Sequence, residues 1–163
     1  SKLINKIRND NKNIHIFKYK TLLRKSVKEC SSELADYILK MENKNGEPKC
    51  IIGGGEIPVK ARKDGKGGRN QHFSIEMLKQ LKDLEREWAF LSIATDGRDL
   101  IKGIAGSIVS SELHNHIYTN HIDLEYYIEN TKSFDFHNKY GTHLKCKNGT
   151  NINVSDIYVY IST

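Results

Sequence analysis

Apolar residues recur along the chain with two different periods, and these periods predict strands that alternate with helices. Polar and glycine-rich stretches separate the periodic segments and mark their ends. The pattern predicts a strand at 14–16, a helix at 21–41, paired strands at 50–52 and 59–62, a helix at 69–84, a strand at 88–94, a helix that starts within 105–111, helix faces at 124–128 and 134–136, and a strand at 157–161. This alternation favours an α/β fold in which helices pack on a mixed β-sheet.

The 163-residue length is that of one domain. A chain of about 150 residues buries roughly 70% of its unfolded surface, so it needs no disulfide or metal to fold. We expect residues 14–163 to form this domain and residues 1–13 to be a lead-in or linker. Because the chain begins with Ser1, we also expect it to be a piece of a longer protein.

The charge balance gives a first indication of partners. Lys and Arg number 26 and Asp and Glu 20, a formal net charge of +6, which favours anionic ligands. The sequence contains no nucleic-acid-binding motif and no apolar run near the ~20 residues of a membrane span, so neither partner is predicted. The three cysteines are far apart and form no CxxC pair, which is typical of a reduced, cytoplasmic protein.

A glycine-rich loop at 65–70 leads directly into a predicted helix. Glycines let the backbone approach a ligand, and free N–H groups at a helix start attract anions. The helix dipole contributes only ~0.3–1 kcal/mol, so Lys66 and Arg69 would supply most of the binding. The alternative is a solvated connector, since the known phosphate and dinucleotide motifs do not match.

Two acidic residues follow the predicted strand at 88–94, within the stretch Thr95–Asp99. Paired carboxylates suit Mg²⁺, so Asp96 and Asp99 are candidate metal ligands. Asp96 could instead accept a proton from a substrate hydroxyl. The alternative is a simple turn, in which Asp96 bonds its own backbone and Gly97 supplies a positive φ.

Three histidines form an HxHx₄H pattern, at His114, His116 and His121. The spacing suits zinc, but no carboxylate or cysteine is arranged with it. We therefore interpret these histidines as surface residues of a helix or loop.

The loops taken together carry a more specific pattern. Gly53–Glu56 reads GGGE, residues 65–71 read GKGGRNQ, residues 95–97 read TDG, and 149–151 read GTN. In this order the chain resembles the MOFRL domain, the C-terminal domain of the glycerate 2-kinase family. The resemblance covers roughly residues 14–161.

The resemblance implies a two-domain kinase whose Rossmann-like N-terminal domain is absent from this chain. ATP, Mg²⁺ and glycerate would meet in the cleft between the two domains, giving 2-phosphoglycerate, and the isolated domain would be inactive. Arg69 would neutralise the transferred phosphoryl group, and Asp96 would orient or deprotonate the substrate hydroxyl or, with Asp99, hold Mg²⁺. The partners implied are glycerate, ATP and the N-terminal domain, and a homodimer is also compatible.

The resemblance also implies which other residues would bind substrate or nucleotide. They are Gly53, Gly54, Gly55, Glu56, Lys66, Gly67, Gly68, Asn70, Thr95, Gly97, Thr150 and Asn151.

The sequence departs from the family pattern TDGxDGPTDAAGA at two positions. Leu100 replaces the second glycine, and Gly103 replaces the second acidic residue. Near Ile152 two residues are inserted. Two alternative functions stay open: a hydroxypyruvate reductase, for which no dinucleotide motif is present, and a non-catalytic module that binds anionic metabolites or nucleic acid.

Overall fold

The computed structural model describes residues 14–23, 25–44, 46–60, 62–150 and 152–163. The predicted lead-in at 1–13 and the candidate Asn151 lie outside the described residues. The strands are β1 (His15–Leu23), β2 (Lys49–Glu56), β3 (Trp88–Ala94), β4 (Ile104–Ser110), β5 (His143–Lys145) and β6 (Asp156–Ser162). The helices described are α1 (Val27–Glu42), α2 (Arg69–Gln80), α3 (Ser111–Thr119), α4 (Leu124–Glu129) and α5 (Ser133–Tyr140).

The strands form a six-stranded sheet in the order β1-β2-β6-β3-β4-β5. β1 and β2 are parallel, whereas the pairs β2–β6, β3–β6, β3–β4 and β4–β5 are antiparallel. The sheet is therefore mixed, and the α/β fold class predicted from the sequence is confirmed.

The local sequence explains where α1 begins. Ser26 accepts a hydrogen bond from the Glu29 backbone N–H, and the Glu29 side chain accepts one from the Ser26 N–H. This capping box satisfies two donors that the first helical turn leaves free. The predicted start at residue 21 is wrong, because residues 21–23 continue β1.

Two further predictions of secondary structure from the sequence are wrong. The small apolar run at 105–110 forms β4, whose first four residues are all buried between β3 and β5. The segment at 59–62 forms no strand at its described residues. The short β5 carries too few residues for its pattern to be recognised, and the sequence analysis missed it.

The core lies where α1 and α2 pack against the sheet. Phe73 of α2 contacts the rings of Phe90 and Tyr158 edge-on, with centroids 5.5 and 4.8 Å apart. Burial of apolar area is worth about 25 cal/mol per Å², so this layer contributes to the stability of the fold. Within the described residues, no helix is long and apolar enough to cross a membrane.

The sheet register brings three strand ends to one edge. Asp156, the first residue of β6, pairs with Gly55 near the end of β2 and with Ala94 at the end of β3. The loops that follow β2 and β3 therefore leave the sheet beside the segment that enters β6. The candidate motifs separated in sequence meet along this edge.

Candidate functional site

Arg69, the first residue of α2, joins two of the strand ends through its guanidinium group. Its Nε and Nη2 atoms donate to the carboxylate of Asp156 at 2.5 and 2.9 Å. Its Nη1 atom lies 2.9 Å from Oε1 of Glu56. The neighbouring carboxylates, Asp156 above all, raise the pKa of Arg69 above its ordinary value. A bidentate pair of this kind fixes the guanidinium in one orientation.

Asp156 is one of the residues at this sheet edge that the sequence analysis did not name as a candidate. Its side chain is fully buried, and it is the main partner of the Arg69 guanidinium. A signal was present, because Asp156 ends the segment that follows the GTN motif at 149–151. Nothing in the sequence indicated that its partner lies 87 residues away.

The start of α2 is occupied by a carboxylate of the same chain. Asp99 accepts hydrogen bonds from the backbone N–H groups of Asn70 and Gln71 at 3.0 and 2.9 Å, and from both of their side-chain amides. A Cβ at Gly68 would lie 2.2 Å from this carboxylate, so only glycine allows the approach. The sequence predicted that the N–H groups at the start of α2 are free to bind phosphate. In the structure the Asp99 carboxylate occupies them instead.

These hydrogen bonds also determine what Asp99 can do. Burial raises the pKa of Asp99, while the four donors from Asn70 and Gln71 lower it and offset part of that effect. Both carboxylate oxygens already accept hydrogen bonds within the protein. The predicted metal ligand is thus used to hold the start of α2 against the loop after β3.

Asp96 adopts the turn geometry that the sequence left as one of its alternatives. Its Oδ1 accepts the backbone N–H of Arg98 at 2.9 Å, and Gly97 has a φ of 77°. Its backbone carbonyl accepts the Thr150 N–H at 2.8 Å, which joins the TDG and GTN motifs. The residue is partly exposed, its second carboxylate oxygen accepts no hydrogen bond from another described residue, and it lines neither of the two cavities described below.

Thr95 ties the same loop to the segment before β6. Its hydroxyl donates to the Ser155 carbonyl at 2.7 Å and accepts the Val154 N–H at 3.0 Å. The Thr150 hydroxyl donates to the Ile152 carbonyl at 3.0 Å. Both threonines therefore shape the loops, although Thr150 is exposed.

Five other candidates pack within the fold beside these loops. Gly53, Gly54 and Gly55 lie inside β2, paired with β6, and they line neither of the cavities described below. The Lys66 ammonium packs 4.2 Å from the centre of the Phe134 ring. Asn70 is buried and accepts the Ser92 hydroxyl at 2.6 Å.

Two cavities of about 610 Å³ each lie side by side at this sheet edge. One, the acid-lined cavity, contains Glu56, Gly67, Gly68, Arg69 and Asp99 together with Ile57, Pro58 and Val59. The other, the cationic cavity, contains Gly97, Lys102, Gly103, Lys147 and Gly149 with Ile101, Cys146 and Asn148. Arg98 and Leu100 line both cavities, so they mark the junction.

Leu100 has an unusual backbone conformation at this junction. Its φ is 64°, in the left-handed region that costs an L-residue roughly 1–2 kcal/mol. Its side chain is 76% exposed, so little burial offsets that cost. The family pattern places a glycine here, and this φ explains why glycine suits the position.

The described residues contain no group of three or more His, Cys, Asp or Glu side chains that could hold a metal ion. His114 is buried at 8% exposure and stacks 4.3 Å from Tyr118, so the surface interpretation is wrong for this residue. Mg²⁺ takes one or two protein carboxylates besides phosphate oxygens. Asp96 is able to contribute one, and Asp99 is already engaged.

Comparison with known proteins places this geometry in a family. The MOFRL family model matches residues 49–156, which include β2 to the start of β6. A glycerate kinase from Rattus norvegicus is 32% identical over 119 residues, covering 70% of this chain and 23% of the relative. A glycerate 2-kinase from Pyrococcus horikoshii is 31% identical over 117 residues, covering 71% of this chain and 26% of the relative.

Solved structures agree on the fold. A crystal structure of glycerate kinase from Thermotoga maritima has a TM-score of 0.77 and 24% identity, and it covers 96% of this chain and 38% of that structure. The chain thus spans about a quarter of the length of the curated relatives that it matches. The matched segment carries every loop that meets at the sheet edge, and on that evidence the chain belongs to the MOFRL family.

Proposed function

We propose that this chain is the substrate- and phosphate-binding domain of an ATP-dependent glycerate 2-kinase. Glycerate kinases are its relatives, and the relative from Pyrococcus horikoshii is named a glycerate 2-kinase. In the reaction, the glycerate 2-hydroxyl loses its proton and forms a bond to the γ-phosphorus of ATP. The bond between the γ-phosphorus and the β–γ bridging oxygen breaks, and ADP leaves. A Rossmann-like N-terminal domain would form the opposite wall of the cleft.

The cationic cavity suits the polyphosphate of ATP. Arg98, Lys102 and Lys147 are exposed, line the cavity, and form no ion pair with another described residue. Positive groups with no internal partner are available to a ligand, and phosphoryl transfer depends on neutralising phosphate charge. The glycines at 97, 103 and 149 leave the backbone close to that ligand.

The acid-lined cavity suits the hydroxy acid. The Glu56 side chain is 53% exposed and gives one oxygen to Arg69, so its other oxygen is free to accept a substrate hydroxyl. Pro58 and Val59 give this cavity an apolar wall against the carbon chain. Because the two cavities adjoin, the hydroxyl and the γ-phosphate would meet at their junction.

Arg98 is better placed than Arg69 to neutralise the transferred group. The charge of Arg69 is already offset by Asp156 and Glu56, so we assign Arg69 to positioning Glu56. Arg98 lies at the junction of both cavities and is exposed. Its guanidinium presents several N–H donors suited to phosphate oxygens.

Asp96 supplies the carboxylate for the substrate hydroxyl. Its Oδ1 accepts the backbone N–H of Arg98, the residue that lines both cavities, which leaves the second oxygen for the substrate. That oxygen would orient the hydroxyl or take its proton. Of the two predicted metal ligands, Asp96 is the one that would contact the Mg²⁺ that accompanies ATP. Both oxygens of Asp99 already accept hydrogen bonds within the protein.

One observation carries the proposal: two adjoining cavities share Arg98 at the edge where the four family motifs meet. The experiment is an assay of the full-length protein that carries this chain, with ATP, Mg²⁺ and glycerate. We expect ADP release and a phosphorus NMR signal of 2-phosphoglycerate. Asp96→Asn should reduce kcat at least about 100-fold.

The alternatives give different results in the same assay. Oxidation of NADH with hydroxypyruvate, without ADP formation, would instead identify a reductase. Neither turnover, together with nucleic-acid affinity that falls steeply with salt, would identify a non-catalytic binding module. Either result would overturn the kinase proposal.

A further inference from the structure

A third cavity lies between the start of α1 and the first two turns of α2. It has a volume of about 490 Å³, and Lys25, Ser26, Val27, Lys28, Pro58, Val59, Lys60, His72 and Glu76 line it. No family motif quoted above assigns it a role. Its polar groups are not used by the proposed phosphoryl transfer.

His72 is the first sign that this cavity receives a ligand. It is 7% exposed, and its Nδ1 atom is buried with no hydrogen-bond partner within the described part of the chain. A buried polar atom without a partner costs about 1–3 kcal/mol, so such atoms are rare unless something pairs with them. Burial lowers the pKa of His72 to about 4, so the imidazole is neutral at pH 7 and keeps one N–H to donate.

The start of α1 is the second sign. The Ser26 hydroxyl accepts the Glu29 N–H, which leaves the N–H groups of Val27 and Lys28 without a partner among the residues described. Both residues line the cavity. Free N–H groups at the first turn of a 16-residue helix attract an anion.

The charges around the cavity are positive on balance. Lys28 and Lys60 are exposed at its rim and form no ion pair with any residue that the structure describes. Lys25 is paired with Glu33. The single carboxyl group of the lining is Glu76; burial raises its pKa, while the neighbouring Lys79 and Lys28 lower it.

We propose that this cavity binds a small oxyanion, a phosphate or carboxylate group, between the Val27 and Lys28 N–H groups, the two rim lysines and His72. The anion would accept hydrogen bonds from the helix start and from the imidazole N–H. The ion is a ligand here and undergoes no chemical step. This site is independent of the phosphoryl transfer proposed above.

Binding here would reach the cleft through shared residues. Pro58 and Val59 line both this cavity and the acid-lined cavity. The helix that carries His72 also carries Arg69 at its start. An oxyanion that orders Pro58 and Val59 would therefore act on the position of Glu56, which lies two residues before Pro58.

The test is an NMR titration of the isotopically labelled chain at constant ionic strength. Inorganic phosphate is the probe in one arm and lactate in the other, so the two arms distinguish a phosphate from a carboxylate ligand. We expect saturable shifts of the Val27 and Lys28 amide signals and of the His72 ring nitrogens in at least one arm. Absence of saturable shifts at these three residues in both arms overturns the site.

Matched variants separate this cavity from the cleft. Lys28→Gln with Lys60→Gln should weaken binding at least tenfold, while Lys102→Gln with Lys147→Gln should leave it within threefold. Equal weakening by both pairs would mean that the anion is attracted by general charge, and it would overturn the site. Because no turnover is measured, the result does not depend on whether the chain belongs to a kinase.

His72 provides a separate check on the imidazole. His72→Gln retains an N–H donor and should keep the affinity within threefold, whereas His72→Leu should lose at least tenfold. Circular dichroism establishes that each variant is folded. Should His72→Leu fold and bind as tightly as the wild type, the imidazole has no part in the site.

Discussion

The two ends of the sheet contain similar residues but use them differently. β2 and β6 run through both ends, from Lys49 to Glu56 and from Ser162 to Asp156. At the Lys49 end, the buried Glu42 carboxylate accepts four donors. These are Tyr160 Oη at 3.0 Å, Ser162 Oγ at 2.6 Å, Arg86 Nη1 at 2.9 Å and Lys49 Nζ at 3.5 Å.

The opposite end keeps charge available. Asp156 and Glu56 engage Arg69, but Arg98, Lys102 and Lys147 form no ion pair with the other described residues and line a cavity. The comparison teaches that charge alone does not mark a site. Fully paired groups at the Glu42 end hold the fold together, and unpaired cations beside a cavity are free to bind a ligand.

Replacement of Glu42 tests the hydrogen-bonded network at the Lys49 end of the sheet, and it should have the largest effect. Glu42→Gln removes the counter-charge of the buried Lys49 ammonium, so we expect a loss of about 3–5 kcal/mol in the free energy of unfolding. Urea denaturation measures it. Lys20→Gln breaks an exposed pair with Glu33 and should have a much smaller effect, because solvent screens the attraction between exposed charges. Equal losses of unfolding free energy in the two variants would contradict a stabilising role for the network around Glu42.

Acid should lower the stability of the fold through a buried histidine near the start of α2. The buried His137 ring bonds the Gln71 carbonyl at 2.8 Å, next to the start of α2. Burial lowers the pKa of His137 from 6.5 to about 3, so below pH 6.5 the unfolded chain binds the proton and the folded chain does not. Stability should therefore fall as pH decreases, by up to about 3 kcal/mol between pH 6.5 and 4.

Chemical denaturation across this pH range measures the slope. His72, with its pKa lowered to about 4, contributes in the same direction. His137→Gln should lose stability at pH 7 and show a flatter profile than the wild type. A variant profile as steep as that of the wild type would assign the acid sensitivity to other groups.

Replacement of Arg98 and replacement of Arg69 should differ in their effect on stability. Arg98→Gln should lower kcat about 100-fold, or about 2.7 kcal/mol, with little change in Tm, because the side chain is exposed. Arg69→Gln should lower stability as well, since it leaves the buried Asp156 carboxylate without its cation. A stable, inactive Arg69→Gln together with a fully active Arg98→Gln would reverse the assignment.

The smallest effect is expected at Leu100. Leu100→Gly relieves the left-handed backbone conformation, which costs about 1–2 kcal/mol, but frees the unfolded chain by roughly 0.5–1 kcal/mol. We expect a net stabilisation of up to about 1.5 kcal/mol, seen as a higher Tm. Leu100→Ala retains the strained φ and is the control. A similar gain in both variants would mean that the backbone is not the cause.

Much of the local structure follows from the sequence. The apolar run at 88–94 forms β3 with the predicted bounds, and α2 begins at the predicted Arg69. These segments are determined locally, because hydrophobic periodicity and helix-start signals act over a few residues. The motif order likewise predicted the family, which the comparison confirms.

Tertiary structure decided what the charged residues do. Asp99 and Asp96 follow the same strand, yet Asp99 caps α2 while Asp96 stays partly exposed. Arg69 is held by Asp156, and β4 forms where small residues are enclosed between two strands. Whether a carboxylate is buried and paired depends on groups far away in sequence. That dependence is the physical reason why the pattern of residues predicted the loops of the site but not the partners within it.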